Sequence, residues 1–374
     1  MKSGRKGLLA LSAVYAGLGS AFASGFPHTT DTLSEARYYL SATTVGKKAF
    51  FAGGAASTGY SDVVDIYDAD TGLWSTDALS QGRYYLAAMS VGTKAIFAGG
   101  FTGPAGAIPS DVVDIYDTTT GLWTTDTLSQ ARGIMAATTV GCKAIFAGGY
   151  VDGVEGYSDV VEVYDADTGL WSTDTLSAAR CYLAATTVGT KAMFAGGSGD
   201  SDVVDVYDAD TGLWSTHTLS EGRYWLAAAT VGNKAIFAGG AIGDSSYSDA
   251  VDVLDDGTGL WSAATLSEAR RYLTATTLGD RAMFAGGEGA SGVVDVVDIY
   301  DPVTGQWSTD ALSEARYYLA ATTVGDMAFF AGGGTGPGPD PSGYSAAVDI
   351  YIIPEPATLF LLALGGLALI RRRR

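Results

Sequence analysis

A pair of adjacent glycines recurs seven times along this chain, and it constrains the fold more than any other feature. Successive pairs lie 43 to 49 residues apart. Self-similarity with a period of this size is typical of solenoids and propellers, in which one unit is too small to bury its own apolar face. The pairs are Gly53-Gly54, Gly99-Gly100, Gly148-Gly149, Gly196-Gly197, Gly239-Gly240, Gly286-Gly287 and Gly332-Gly333.

Each repeat contains four short runs of residues that favour β-strands. In the first repeat, residues 40–45 are apolar and rich in Thr, residues 48–52 lead into the double glycine, and residues 63–67 follow a loop of variable length. The turn sequence Asp-Ala-Asp-Thr-Gly then leads to a Leu-Trp pair and a fourth run. Short β-rich runs separated by turn residues, with no helical periodicity, predict one four-stranded sheet per repeat. We therefore predict an all-β fold, a seven-bladed β-propeller with four strands in each blade.

The repeat resembles that of the kelch family across residues 28–351. The shared marks are an Arg at the start of each repeat, a double glycine after an aromatic residue, a Tyr-Asp pair and a Trp a few residues later. In the fifth repeat, Leu254 replaces the Tyr. The resemblance implies kelch-like blades arranged around a central channel. Six repeats keep the Trp, at Trp74, Trp123, Trp171, Trp214, Trp261 and Trp307.

The seventh repeat ends at Tyr351 without a Trp strand. Residues 28–33, near the N-terminus, supply a matching segment, because they resemble the fourth run at residues 171–176. We predict that residues 28–33 close the last blade, which leaves no unpaired end in the ring. A ring of six blades with a spare fragment is the alternative.

The first 23 residues have the order of a secretory signal peptide. Three basic residues in the first six precede an apolar stretch over residues 8–19, and the small residues Ala21 and Ala23 mark a cleavage site. This order predicts a signal helix over residues 1–23 that is removed after export. A helix buried in the fold is the alternative.

The last 21 residues resemble the PEP-CTERM sorting signal of bacterial envelope proteins. The triplet Pro354, Glu355 and Pro356 precedes a short apolar helix over residues 359–370. A basic tail follows, formed by Arg371, Arg372, Arg373 and Arg374. The resemblance implies processing by an exosortase-type enzyme and attachment or release at the cell surface.

Physical chemistry agrees with part of this interpretation. Twelve apolar residues form about 18 Å of helix, which is short of the roughly 30 Å hydrocarbon core of a membrane. The four arginines are expected to stay on the cytoplasmic side, so that residues 354–374 hold the rest of the chain outside. A tail anchor that is never cut is the alternative.

Candidate binding residues lie in the links between blades. One hypothesis is a ring of Arg and aromatic side chains at the mouth of the channel, able to stack on sugars or to bind acidic groups. The interpretation we favour is that the aromatic residues pack under the rim as part of the core, and that the Arg is structural, with hydrogen bonds to the backbone at the junction between blades. The arginines are Arg37, Arg83, Arg132, Arg180, Arg223, Arg270 and Arg316. The aromatic residues, two positions later, are Tyr39, Tyr85, Tyr182, Trp225, Tyr272 and Tyr318, with Ile134 as the exception.

Several functions are disfavoured by composition. A formal net charge of −19 disfavours binding to nucleic acid. The chain has only two histidines, His28 and His217, and two cysteines, Cys142 and Cys181, which we predict to be unpaired. Because copper needs imidazole or thiolate ligands, we predict no metal site and no cofactor. Calcium binding by the acidic turns and catalysis by a carboxylate pair stay open.

These features together predict an exported protein of the cell envelope or surface. The expected role is a binding or scaffold module for a surface protein or an envelope polysaccharide, without enzymatic activity. Near-identical repeats favour a structural ring or an axial ligand over one unique active centre. An exported oxidase or carbohydrate-active enzyme and a structural matrix protein are the alternatives.

Overall fold

The computed structural model describes residues 26–103, 108–152, 156–243, 245–336 and 343–353. The predicted signal peptide and the predicted sorting signal lie outside these residues. Within the described ranges the regular elements are β-strands joined by turns, which confirms the all-β prediction. No helix among these residues is long and apolar enough to cross a membrane.

The strands form seven four-stranded antiparallel sheets. We number the sheets 1 to 7 in chain order and count the strands of each sheet from first to fourth. The first strands are Ser41–Val45, Ala87–Val91, Ala136–Val140, Ala184–Val188, Ala227–Val231, Thr274–Leu278 and Ala320–Val324. The second strands are Lys48–Ala52, Lys94–Ala98, Lys143–Ala147, Lys191–Ala195, Lys234–Ala238, Arg281–Ala285 and Met327–Ala331.

The third and fourth strands complete each sheet. The third strands are Val63–Asp68, Val112–Asp117, Val160–Asp165, Val203–Asp208, Ala250–Asp255, Val296–Tyr300 and Ala347–Ile352. The fourth strands of sheets 1 to 6 are Leu73–Ala78, Leu122–Thr127, Leu170–Thr175, Leu213–Thr218, Leu260–Thr265 and Trp307–Ala311. Short strands after some of the double glycines are Ala55–Ala56, Gly59–Tyr60, Phe101–Thr102, Ile108–Pro109, Ala241–Ile242, Ser246–Tyr247, Glu288–Gly289 and Gly292–Val293, and Arg270–Arg271 pairs with one of them.

The seven sheets follow one another around a closed ring. Each first strand packs against the first strand of the next sheet, and that of sheet 7 packs against that of sheet 1. The fourth strand of sheet 7 is His28–Thr32, which pairs antiparallel with Ala347–Ile352 so that His28 lies opposite Tyr351. The first and last described strands of the chain therefore share one sheet.

The core lies between neighbouring sheets. In the second strand of sheet 1, Phe51 is fully buried and its ring centroid lies 6.0 Å from that of Phe329 in sheet 7. The Trp74 ring packs against the same cluster, with its centroid 5.8 Å from that of Phe51. Because each sheet buries its apolar residues only against its neighbours, one repeat cannot be stable alone.

The two rims of the ring differ in structure. We call the end with the double glycines and the links between sheets the mouth rim, and the end where the third strand turns into the fourth the turn rim. At the turn rim, Asp68 Oδ1 accepts hydrogen bonds from the backbone N–H groups of Asp70 and Thr71, and Gly72 takes a φ of +68°. The Asp-rich segments are thus turn-forming, since the Asp side chain caps the backbone that follows it.

Candidate binding site at the mouth rim

The links between sheets place one residue of each repeat in the left-handed backbone region. The φ values of these seven residues lie between +53° and +60°. This conformation costs roughly 1–2 kcal/mol in a residue with a side chain, so the surroundings must hold it in place. The residues are Tyr39, Tyr85, Ile134, Tyr182, Trp225, Tyr272 and Tyr318.

A ring of backbone hydrogen bonds holds these residues. The N–H of Tyr85 donates to the carbonyl of Tyr39 at 3.1 Å, and the N–H of Tyr39 donates to the carbonyl of Tyr318 at 3.2 Å. Six of the seven junctions between sheets carry such a bond. Among the described residues, the junction between Ile134 and Tyr182 lacks it. The left-handed conformation is therefore stabilised by contacts that pass from sheet to sheet.

The double glycines make room for these links. Gly53 has a φ of +66°, and a Cβ at this position would lie 2.6 Å from the carbonyl oxygen of Arg83 in the next link. Gly54 donates its N–H to the same oxygen at 2.8 Å. The repeated glycines thus allow the close approach of neighbouring sheets that positions the aromatic residues.

Six of the seven residues are aromatic and form what we call the aromatic collar: Tyr39, Tyr85, Tyr182, Trp225, Tyr272 and Tyr318. Neighbouring rings are in contact. The ring centroids of Tyr39 and Tyr85 lie 3.8 Å apart, those of Tyr272 and Tyr318 lie 3.9 Å apart, and those of Trp225 and Tyr272 lie 4.3 Å apart. The described collar is open only where Ile134 stands between Tyr85 and Tyr182.

The collar lines a cavity of about 210 Å³. The seven link residues and the residue after each of them form the wall, and the latter are Leu40, Leu86, Met135, Leu183, Leu226, Leu273 and Leu319. Most collar side chains are half-buried, whereas Tyr272 is only 6% exposed. The lining therefore combines flat apolar ring faces with phenol hydroxyls, a combination that suits stacking on a planar or sugar-like ring.

The collar tyrosines are neutral at ordinary pH. Burial raises the pKa of Tyr272 to about 12, and it raises the pKa values of Tyr85 and Tyr318 well above their usual value. Tyr39 also forms side-chain hydrogen bonds with Tyr85 and Tyr318. The phenols can thus donate hydrogen bonds, but they do not supply charge or a tyrosinate base.

The arginine half of the predicted ring does not lie at the mouth. Arg37 is fully buried, and its guanidinium donates to the carbonyls of Gly53 at 3.0 Å and Val63 at 2.5 Å and pairs with Asp65. The arginines therefore do not face the cavity; they hydrogen-bond to backbone carbonyls, which agrees with the structural interpretation and not with the ring of ligand-binding arginines. The reason is that the link residue two positions after each Arg is itself left-handed, which breaks the alternation of side chains along the link. The other six, Arg83, Arg132, Arg180, Arg223, Arg270 and Arg316, are at most 2% exposed.

The acids that pair with these arginines were missed by sequence reasoning. Each lies in the third strand of the same sheet, between apolar residues, as Asp65 does between Val64 and Ile66. An acid at the same position of all seven third strands, with an apolar residue on each side, was the available signal, because a buried carboxylate requires a partner. The acids are Asp65, Asp114, Glu162, Asp205, Asp252, Asp298 and Asp349.

One cation beside the collar was also missed. Arg271 lies where most other repeats have Tyr, and its guanidinium carbon lies 5.2 Å from the ring centroid of Trp225 and 4.7 Å from that of Tyr272. It also pairs with Glu288 at 3.0 Å. Arg271 therefore places a guanidinium group beside the collar at sheet 6.

Neither histidine lines the cavity. His28 stacks on Tyr351 with ring centroids 4.5 Å apart, and its Nε2 lies 2.7 Å from Asp349. His217 lies on the fourth strand of sheet 4, with its ring 6.4 Å from that of Trp261. Both belong to fourth strands, far from the first strands that surround the axis.

One group of described side chains brings three potential metal ligands together at the turn rim. It consists of Cys142, Asp165 and Asp167. However, Lys143 already pairs with Asp165 at 2.7 Å, and a hydrogen bond to Asp167 raises the pKa of the Cys142 thiol. We assign no metal to this group. Cys142 and Cys181 are both free thiols.

Comparison with known proteins identifies the C-terminal segment and the fold type. Residues 353–374 match the family model described as the PEP-CTERM protein-sorting motif. This motif implies an exported protein that an exosortase processes at its C-terminal end. No curated protein matches the chain. The solved structure titled "Structure of YjhT" is similar with a TM-score of 0.60 at 16% identity, over 75% of this chain and 99% of that one. At this identity the likeness shows the fold alone, an all-β fold of repeated sheets.

Proposed function

We propose that this chain is a seven-bladed, kelch-type β-propeller that binds an envelope polysaccharide at the cell surface through its aromatic collar. The observation that carries the proposal is the collar itself, in which six aromatic residues adopt a strained backbone conformation around one cavity. Strained residues that the fold holds in place are typical of binding sites.

The chemistry of the lining favours a neutral ring-shaped ligand. Aromatic side chains stack on the apolar faces of sugar rings, and phenols donate hydrogen bonds to sugar hydroxyls. The predicted arginine contacts are absent because those side chains are buried, so general attraction of acidic groups is not part of the proposal. The sorting motif supports the location, since an exported protein meets polysaccharide at the envelope.

We propose a binding role without catalysis. The two histidines lie on fourth strands, and burial keeps the collar tyrosines protonated. The buried arginines and acids neutralise one another inside the sheets. General acid–base catalysis requires an acid–base pair within hydrogen-bond distance of the bound ligand. The residues that line the described cavity do not include such a pair.

A glycan array carrying neutral and acidic bacterial polysaccharides tests the proposal on the full chain. We expect a signal for neutral glycans, and we expect Trp225→Ala to weaken it roughly 2- to 10-fold, the loss of one aromatic contact. Tyr157→Ala is the matched control, because Tyr157 is 44% exposed at the mouth rim but does not belong to the collar. Absence of any signal from the folded protein, or equal binding by both variants, would contradict the proposal.

A further inference from the structure

We infer that Tyr60 and Tyr84 form an outer subsite beside the collar, which binds the second unit of a neutral glycan whose end unit lies in the collar cavity. The inference rests on the proposed function and makes it more specific, since it assigns the end of a glycan as the ligand. A site that encloses a whole small molecule has roughly 300–1,000 Å³. The collar cavity has about 210 Å³, so most of a polysaccharide must lie outside it.

A glycan that leaves the cavity must cross the mouth rim at one of the seven junctions between sheets. At each junction the N–H of the link arginine donates to the carbonyl of a loop residue in the preceding sheet, as Arg83 does to Ser61 at 3.2 Å. The residue before that loop residue and the residue after that arginine can therefore be compared at every junction. These pairs are Tyr60 and Tyr84, Pro109 and Gly133, Tyr157 and Cys181, Asp200 and Tyr224, Tyr247 and Arg271, Val293 and Tyr317, and Tyr344 and Tyr38.

At the junction of sheets 1 and 2 both positions hold tyrosine, and the two rings stack. The ring centroids of Tyr60 and Tyr84 lie 4.5 Å apart, and the ring planes differ by 16°. Both side chains are half-buried. Among the described rings, Tyr84 is the one that contacts Tyr60, and it supports one face of that ring. The opposite face of Tyr60 is thus placed to stack on a sugar ring.

The stacked pair continues directly from the collar. The ring centroid of Tyr84 lies 6.0 Å from that of Tyr39 and 5.6 Å from that of Tyr85, and both of these residues line the cavity. Aromatic rings therefore follow one another from the cavity wall to the rim at this junction. A glycan with one unit in the cavity can place its next unit on the pair.

The backbone at this junction is adapted to the stack. Gly82 stands where five repeats have Ala, and a Cβ at this position would lie 2.4 Å from the carbonyl oxygen of Tyr60. Without a Cβ, the link can approach the loop that carries Tyr60. Gly222 allows a similar approach at the junction of sheets 4 and 5, but the loop residue there is Asp200.

The other junctions suit a neutral sugar less well. At the junction of sheets 7 and 1, Tyr38 is only 8% exposed and the ring of Tyr344 is tilted by 52° against it. At the junction of sheets 5 and 6, the guanidinium carbon of Arg271 lies 5.1 Å from the ring centroid of Tyr247, so a cation already occupies that ring. Each of the remaining four junctions has at most one aromatic residue at the two positions.

Neutral oligosaccharides in length series test the inference on the full-length protein. An array carries linear oligomers of glucose, galactose and mannose with one to six units, and calorimetry then measures the affinities within the series that has the strongest signal. We expect two units to bind roughly 2- to 10-fold more tightly than one unit, the value of one aromatic contact. Tyr60→Ala should remove this gain and leave the affinity for one unit unchanged. Tyr60→Phe keeps the ring and should retain the gain.

Tyr247→Ala is the matched control, because Tyr247 is half-buried and has the same position in the loop of sheet 5 that Tyr60 has in sheet 1. It should change neither affinity. Equal affinity for one unit and for longer glycans, an equal loss at every length in Tyr60→Ala, or the same loss of the gain in Tyr247→Ala would overturn the inference and leave the collar as the binding site. Absence of binding at every length by the folded protein would contradict the proposed function, and the inference with it.

Discussion

Sheets 2 and 3 contain the same buried Arg–acid pair in two different states. In sheet 2, Arg83 Nη2 bonds to Asp114, and Nη1 donates to the carbonyls of Gly99 and Val112 at 2.6 Å. In sheet 3, the acid is Glu162, and its nearest carboxylate oxygen lies 3.7 Å from Arg132. Both arginines are fully buried.

One methylene group explains the difference. In both sheets the acid accepts a hydrogen bond from a Ser N–H, from Ser80 to Asp114 at 2.9 Å and from Ser129 to Glu162 at 2.7 Å. The longer side chain of Glu162 brings the same oxygen within reach of the Ser129 hydroxyl as well, which forms an additional, short bond. Arg132 Nη2 is then left without a hydrogen-bond partner. Burial lowers the pKa of Arg132 to about 10, against the attraction of Glu162. The side-chain pair is therefore well formed in sheet 2 and poorly formed in sheet 3.

The third repeat also has weaker contacts at the mouth rim. It supplies Ile134 in place of a collar aromatic residue, and the backbone hydrogen bond from the N–H of Tyr182 in the next link to the carbonyl of Ile134 is missing among the described residues. Gly133 stands where four other repeats have Tyr, and the ring of Phe101 fills the space, with its Cε2 atom 2.4 Å from where a Cβ would be. The comparison teaches that a ring of seven similar sheets tolerates one weak junction.

The largest expected effect comes from breaking the well-formed pair. Asp114→Ala should lower the free energy of unfolding by about 3–5 kcal/mol, because it leaves Arg83 as an uncompensated buried charge. Glu162→Ala in sheet 3 is the matched variant and should cost less, because Arg132 has fewer bonds to lose. Urea denaturation followed by circular dichroism measures both. Equal losses would show that the two sheets do not differ.

Alkaline pH should lower the free energy of unfolding through the collar residue of sheet 6, which is Tyr272, and not through the equivalent residue of sheet 3, which is Ile134. The folded-state pKa of Tyr272 is about 12, above the ordinary value of 10.0, so the unfolded chain loses this proton first. The contribution to stability is complete below pH 10 and should be lost as the pH rises to 12. Tyr272→Phe should reduce the fall in stability over this window, to which the other collar tyrosines with raised pKa values also contribute.

The control for this pH dependence is Ile134→Phe, which adds a ring without a phenol. Its slope of stability against pH should equal that of the unmodified protein. A flattened slope for this variant, or an unchanged slope for Tyr272→Phe, would contradict the assignment to the collar phenol. Melting temperatures recorded between pH 9 and pH 12 give both slopes.

A smaller effect should come from repairing sheet 3. Glu162→Asp shortens the acid to the length found in the other six sheets and should return the carboxylate to Arg132. We expect a gain of about 1 kcal/mol in the free energy of unfolding, the net value of one added hydrogen bond. Asp114→Glu in sheet 2 should produce the opposite change. A loss of stability in Glu162→Asp would refute this explanation.

The smallest effect concerns another pair of repeats. Trp214 Nε1 donates to Asp174 of the preceding sheet at 2.7 Å. In the described structure the buried Trp307 Nε1 has no partner, and the residue at the position of Asp174 is Ala264, which packs against the same cluster as Trp307. Ala264→Asp should therefore stabilise the protein by about 0.5–1 kcal/mol. Ala263→Asp, one residue away on the other face, should give no gain in the same thermal unfolding assay.

The repeat made the strands and turns predictable from sequence. Apolar alternation, double glycines and Asp-rich turns each act locally, so residues such as Asp68 and Gly72 form the expected turn. The PEP-CTERM match to residues 353–374 was likewise carried by a local motif. Patterns of this kind need no knowledge of the tertiary contacts.

The sequence indicated a structural arginine that bonds to the backbone, but it did not indicate the buried acid partner or the separation of the Arg from the aromatic residue. Arg37 and Tyr39 are two residues apart, and in an extended strand their side chains would share a face. The left-handed conformation of Tyr39 breaks this alternation and separates a buried Arg from a half-buried Tyr. That conformation depends on backbone bonds to Tyr318 and Tyr85 of neighbouring sheets, which no local pattern contains.

The central claim is that the ring is closed by pairing of the first and last described strands. It is tested by a disulfide between Thr32→Cys and Ala347→Cys, made in a background with Cys142→Ser and Cys181→Ala. Thr32 lies opposite Ala347, beside the pair in which Leu33 donates to Ala346, so the two side chains are close across the strands. The account predicts that the disulfide forms on mild oxidation and raises the melting temperature. Two free thiols in the oxidised, folded protein would contradict the closed ring.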